Sequence, residues 1–196
     1  MKSLSPLYHS LITEAFGDDQ RPAYGQVATL RGKYPTLRTV HLHYLGSLAP
    51  WARDDTSDII AFSTHIQSGK WKELKKHPYL LACYYDTFRD IQFRFQSKAE
   101  LIEPKNKELL DTMWLKIRTE VRTAYWLDAK HLPLDSEPPA NIDVQKRAPN
   151  LGVVLCRPFL WDIYEIHLED YRKGKRSIHT LIKGKWRSQE VSILHR

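Results

Sequence analysis

The sequence predicts a mainly β protein, an antiparallel barrel with flanking helices, and three observations predict it. Short strand-like stretches separated by turn residues recur from about residue 24 to residue 194. Only two or three segments carry helical periodicity, at 3–17, at 68–76 and from Pro104 onward. No internal repeat, low-complexity tract or linker divides the chain, so residues 1–196 are expected to form one domain.

Each element follows from local chemistry. Residues 3–17 read as a helix with Ser5 as its cap, Pro6 in the first turn, and Leu7, Leu11, Ala15 and Phe16 as its apolar stripe. Strands are expected near 24–30, 37–45 and 58–64, with Gly32-Lys33-Tyr34-Pro35 turning between the first two and a loop over 46–57. A short helix follows Ser68 and stops at His77-Pro78. Tyr79 to Asp86 is a nearly continuous apolar run, as in a strand buried on both faces. Residues 91–96 alternate, with Ile91, Phe93 and Phe95 inward. Pro104 opens a longer helix marked by Leu110, Met113, Trp114, Ile117 and Val121. Residues 128–150, rich in proline, read as a long surface loop that is functional or mobile. Strands at 151–157, 159–168, 177–183 and 186–194 complete the chain, the last two joined by a tight turn at Lys183-Gly184-Lys185.

Composition narrows the function classes. A chain of 196 residues with 42% hydrophobic residues and only 8 glycines is long and apolar enough for a full core. No apolar run approaches the roughly 18 residues of a membrane helix, and the N-terminus lacks the apolar region of a signal peptide. A cytoplasmic location is therefore expected. Cys83 and Cys156 sit in apolar runs and are expected to be buried free thiols rather than a disulfide. The net charge of +7 permits anionic partners, but acids are interspersed among the bases, which favours a solvated basic surface over a nucleic-acid interface.

Two stretches carry the candidate chemistry. In Arg38-Thr39-Val40-His41-Leu42-His43, strand alternation sends Arg38, Val40 and Leu42 one way and Thr39, His41 and His43 the other. In the second, an apolar strand ends in Ser63 and Thr64, and Ser68 then caps a helix that begins Gly69-Lys70. A helix start presents free N–H groups and a positive dipole end, and with Arg38, Lys70 and the hydroxyls of Thr64 and Ser68 it can hold a phosphate. Two alternatives stay open. Arg38 can instead pair with a carboxylate such as Asp86 or Asp90, and Ser68 can be a plain helix cap. His41 and His43, with His65, are a weak metal constellation that no carboxylate or cysteine completes, so no metal is expected.

These same residues, followed by Gln92 on a later strand, resemble the pyridoxamine 5'-phosphate oxidase family of flavin mononucleotide (FMN) binding split barrels. The similarity runs from about Ala28 to the C-terminus and is nearer to the oxidase-like branch than to the oxidase itself. It implies a Greek-key split barrel, FMN as cofactor, and a homodimer with FMN at the subunit interface. It also implies a flavin-dependent oxidoreductase acting on a small molecule. The FMN contacts it implies are Arg38, Thr39, Val40, His43, Ser63, Thr64, Ser68, Lys70, Gln92 and Arg176. The substrate contacts it implies are Trp114, Arg118, Arg122 and Arg172, although a core Trp114 with arginines on a solvated face fits the same spacing. Four positions depart from the family pattern. Gly69 replaces an arginine, with Arg89 and Arg94 as candidate substitutes. His43 replaces a lysine, Arg122 a small hydroxyl residue, and Gly174 a histidine. A non-enzymatic flavin or haem carrier and a basic nucleic-acid-binding domain are the other functional classes considered.

Overall fold

The computed structural model describes residues 4–18, 20–46, 58–128 and 141–194. Eight strands form one antiparallel sheet in the order β3-β2-β1-β4-β5-β6-β7-β8. They are β1 (Ala23–Arg31), β2 (Tyr34–Gly46), β3 (Ile59–His65), β4 (Tyr79–Asp86), β5 (Ile91–Ile102), β6 (Leu151–Glu165), β7 (Lys175–Ile182) and β8 (Lys185–Val191). A further pairing of β3 with β6 closes the first six into a barrel, which removes their exposed edges. The helices are α1 (Pro6–Gly17), α2 (Gly69–Lys76), α3 (Lys107–Lys116) and the single turn α4 (Thr119–Arg122).

The residues expected in two strands about Pro158 form one, β6, of 15 residues. Its first part, Leu151 to Cys156, pairs with β3, and its last part, Leu160 to Glu165, pairs with β7, while β5 runs along nearly all of it. Pro158 stands where β6 changes partner, opposite a register shift at Gln96/Ser97. Proline has no N–H to give a ladder, so it costs least at that irregularity. The β7–β8 hairpin leaves the barrel here and turns at Lys183 and Gly184, both at positive φ (50° and 72°), as a two-residue hairpin turn requires.

The barrel interior is filled by alternate residues of every strand, among them Val27, Leu42, Phe62, Ala82, Phe93, Phe95 and Trp161. Phe16 of α1 plugs one end, its ring centroid 5.3–6.4 Å from Tyr84, Phe93, Phe95 and Trp161. A second core lies outside the barrel, where Leu109, Leu110, Met113 and Trp114 of α3 cover Ile59, Ala61, Val153 and Leu155 of β3 and β6.

Several expectations are corrected. Helix α1 begins at Pro6 and Ser5 makes no side-chain cap bond. Ile12 is buried on its inner face while Leu7 is exposed, because α1 lies across a barrel mouth rather than along a flat sheet. Strand β4 is not covered on both faces: Leu80 and Ala82 point into the barrel, but Tyr79, Leu81 and Tyr85 are exposed on its outer side. The long helix after Pro104 starts at Lys107 with Asn106 as its cap and breaks at Ile117, whose ψ is 129°. Val121, in α4, is exposed. Of the 128–150 loop, 129–140 lies outside the described residues, and 141–150 packs on α3 through the fully buried Ala148. The 46–57 loop lies outside them from residue 47 on. Both cysteines are free, Cys156 buried and Cys83 partly so. No helix among the described residues is long and apolar enough to cross a membrane.

Candidate functional site

At one end of the barrel the β1–β2 hairpin meets the start of α2, and a charged cluster forms there. Thr29, Thr36 and Arg38 project from neighbouring positions of the two strands, and Glu73 reaches them from one turn into α2. Glu73 Oε2 accepts from Thr29 Oγ1 (2.5 Å), Thr36 Oγ1 (2.8 Å) and both terminal nitrogens of Arg38 (3.0 and 3.1 Å). Its Oε1 accepts from Arg31 Nε at 2.9 Å. The Glu73 side chain is 6% exposed. Burial alone would raise its pKa, but these hydrogen bonds outweigh burial and bring it down to about 2, so it is ionised.

The second half of the cluster is supplied by the end of β3 and the start of α2. Ser68 caps α2 by accepting from Trp71 N (3.3 Å), and its hydroxyl lies 3.1 Å from Thr64 Oγ1. Lys70 Nζ donates to Thr64 Oγ1 at 3.0 Å. Burial and the nearby Arg38 guanidinium lower the Lys70 pKa, and Glu73 offsets this in part. Arg38, Thr64, Ser68 and Lys70 therefore meet as their spacing suggested. The carboxylate of Arg38 is Glu73, not Asp86 or Asp90. Asp86 holds Arg89, and Asp90 accepts from Tyr85. Arg31, Thr29, Thr36 and Glu73 were missed. The Thr-x-Arg pairs at 29/31 and 36/38, set face to face by the hairpin, are the signal that could have found them.

The opposite-facing residues of β2 and β3 line a different space. His41, His43 and Ser63 look outward, and with Tyr24, Ile117, Arg118, Val121 and Tyr125 they enclose a cavity of about 190 Å³. A neighbouring cavity of about 510 Å³ shares Tyr24, His41, Lys116 and Arg118 with it. The rings of His41 and His43 lie 3.8 Å apart. Ser63 Oγ is buried with no hydrogen-bond partner among the described residues, which is costly unless a ligand supplies one. Thr39 is exposed on this outer side, while Val40 is buried on the inner. His65 is committed elsewhere: its Nδ1 accepts from Gln67 N and its Nε2 donates to Leu127 O. Among the described residues no three His, Cys, Asp or Glu side chains are placed to hold a metal.

Gln92 and Arg176 occupy a third place. They flank Tyr164 in one row across β5, β6 and β7. In the closed ring of strands β5 stands opposite β2, so Gln92 and Arg38 belong to opposite strands of the barrel. Arg176 is held by Asp162 at 2.8 and 2.9 Å, and Arg94 by the same carboxylate. Arg94 and Arg89 are thus both ion-paired, away from Gly69. Arg172 is held by Asp170 (2.9 Å) at the rim of a cavity of about 400 Å³ that Gly174 and Arg176 also line.

The four substrate candidates do not converge. Trp114 is 2% exposed within the second core. Arg122 is buried over the Trp114 ring and donates to the carbonyls of Ile117, Leu115 and Val144, which ties the α3–α4 break to the segment after residue 140. Only Arg118 lines the outer cavity, exposed and near Glu120.

Residues 5–103, about half of the chain, match the family described as pyridoxamine 5'-phosphate oxidase, FMN-binding domain. The chain belongs to this family. Among solved structures, the pyridoxamine 5'-phosphate oxidase-related, FMN-binding protein of Nostoc punctiforme PCC 73102 is similar over 97% of this chain and 98% of its own, with a TM-score of 0.74 at 21% identity. PhzG from Burkholderia lata 383, in complex with tetrahydrophenazine-1-carboxylic acid, aligns over 95% and 88% with a TM-score of 0.64 at 13% identity. General Stress Protein 26 from Bacillus anthracis aligns over 80% and 92% with a TM-score of 0.51 at 14% identity. These likenesses establish the split-barrel fold. No curated protein matches the chain. FMN is the cofactor of this oxidase family, and the residues present suit it: a cationic, hydroxyl-rich helix start for a phosphate, and an orphaned buried hydroxyl, Ser63 Oγ, beside an outer cavity.

Proposed function

We propose that the protein is an FMN-dependent oxidoreductase acting on a small molecule, with the FMN phosphate held by Arg38, Thr64, Ser68 and Lys70. The observation that carries this reading is Lys70. Its ammonium group is largely buried, beside a second cation, with one hydroxyl as its acceptor among the described residues. An ammonium in that position is costly, Glu73 offsets the cost only in part, and a further anion would relieve it. Bound flavin would supply the two-electron chemistry. The chain would supply position and charge. Glu73 Oε2 and the hydroxyls of Thr29 and Thr36 fix the Arg38 fork at its terminal nitrogens, so Arg38 would act on the phosphate mainly through its charge. Ser63 Oγ donates to or accepts from the ring system at the outer cavity, and His43, 5% exposed, covers that side from water. Arg118 at the mouth favours an anionic substrate.

The reading includes a symmetric dimer with FMN at its interface. Two features support it. Gln92 and Arg38 lie on opposite strands of one barrel, and a second copy would bring the Gln92–Arg176 row of one subunit against the Arg38 cluster of the other. The outer side of β1 and β4 also carries an apolar hollow of about 350 Å³ lined by Ala28, Leu30, Tyr79, Leu81 and Phe159, and a partner subunit would cover it.

Flavin fluorescence titration tests the phosphate assignment. Lys70→Ala is expected to weaken FMN by about ten- to a hundred-fold, the worth of one charge-assisted hydrogen bond, and to leave riboflavin nearly unchanged. Gln92→Ala is expected to weaken both ligands alike. Equal loss of the two ligands in Lys70→Ala would place the phosphate elsewhere.

A further inference from the structure

Arg31 is the last residue of β1, and its side chain crosses from the hairpin to the first residue of α2. Its Nε donates to Glu73 Oε1 at 2.9 Å, and its Nη2 lies 3.2 Å from the point where a Cβ on Gly69 would stand. The guanidinium therefore lies in tight contact with the place of a side chain at position 69 and would have to shift by a few tenths of an ångström to admit one. A cation beside a helix N-terminus opposes the helix dipole, and here three cations, Arg31, Arg38 and Lys70, gather at one. Among the described residues Glu73 is the one carboxylate bonded into the cluster. Three positive charges less one leaves an excess of two, which a phosphate monoester, carrying up to about two negative charges near neutral pH, neutralises. The Nη1 and Nη2 groups of Arg31 have no acceptor among the described residues, and the side chain is 69% exposed.

We propose that Arg31 is a phosphate-binding residue of the FMN site and that Gly69 is the gap through which it reaches the ligand. The inference rests on the phosphate assignment above. Arg31 then supplies from the β1–β2 hairpin the charge that position 69 lacks, and a two-pronged fork that suits phosphate oxygens. It makes the hairpin, rather than α2 alone, a determinant of phosphorylated over unphosphorylated flavin.

The test is titration of FMN and riboflavin against Arg31→Ala, Lys70→Ala and the double variant Arg31→Ala/Gly69→Arg. Arg31→Ala is expected to weaken FMN by about ten- to a hundred-fold and to leave riboflavin within about twofold. Gly69→Arg in the Arg31→Ala background is expected to recover most of the lost FMN affinity, because it returns the charge to the same place from the helix. FMN affinity that survives Arg31→Ala while Lys70→Ala loses it overturns the role of Arg31 and leaves the phosphate assignment standing. Insensitivity of FMN to both substitutions overturns both. Equal weakening of FMN and riboflavin by Arg31→Ala, with no recovery from Gly69→Arg, overturns the inference by showing that Arg31 only props Glu73.

Discussion

Glu73 Oε2 sits 3.0 and 3.1 Å from the two terminal nitrogens of Arg38, so a carboxylate from α2 fixes a guanidinium that belongs to β2. The pair ties helix to barrel and aims Arg38 at the helix start. It also makes the stability of the barrel end depend on one ionised acid.

That dependence has a defined pH window. The Glu73 pKa lies at about 2 in the folded chain against 4.5 for a free carboxyl, so the unfolded chain binds its proton first as pH falls. The stabilisation is complete above pH 4.5 and is lost as pH drops towards about 2. The difference of about 2.5 units corresponds to about 3 kcal/mol. Urea unfolding of the wild type at pH 5, 4 and 3 should show this decline, and Glu73→Gln should remove that component while lowering stability at pH 7 by about 3–5 kcal/mol through the unpaired Arg38.

His179 should act in a separate window. It is fully buried under the Tyr8 ring, between the hydroxyls of Ser177 (2.9 Å to Nε2) and Ser188 (2.7 Å to Nδ1). Burial lowers its pKa from 6.5 to about 4. The unfolded chain therefore takes up this proton first, and stability falls as pH drops from about 6.5 to 4, by about 3 kcal/mol at most. A urea midpoint for His179→Gln that changes as steeply between pH 7 and 5 as that of the wild type would remove His179 from the account.

Gly152 of β6 is where α2 seats on the barrel. A Cβ there would stand 2.5 Å from the Trp71 ring and 2.8 Å from Ile66 Cγ2. Gly152→Ala should destabilise the protein by about 1–3 kcal/mol, the range for overpacking a core. Trp71 adjoins Lys70, so FMN affinity should fall with it. Calorimetry gives the first quantity and fluorescence titration the second; an unshifted melting temperature would mean that Trp71 yields freely.

The apolar outer side of β4 gives a test of assembly. Light scattering should return twice the 23.0 kDa of the chain, and Leu81→Asp, a charge set among exposed apolar neighbours, should return one chain mass with weakened FMN binding. A wild-type monomer that binds FMN tightly would remove the shared site.

The sequence needed only local rules to set most of the elements and much of the charged cluster at the start of α2. Strand alternation placed Arg38 on the face of Val40 and Leu42, and the Ser68 cap placed Lys70 at a helix start, because both are local rules with fixed periods. It also drew Trp114 to the covered face of α3 by helical spacing. Which partners those residues meet was set by packing between elements. Glu73 lies 35 positions from Arg38 and joins it across a helix–barrel contact that no local pattern encodes. Ring closure through β3 and β6, which sets β2 opposite β5 and so parts Gln92 from Arg38, depends on a single long strand changing partner at Pro158. Arg122 reads as a surface cation by spacing, yet the break at Ile117 turns it inward onto three carbonyls. Periodicity reports which way a side chain points along its own element. Which charge it finds there is fixed by how the elements pack.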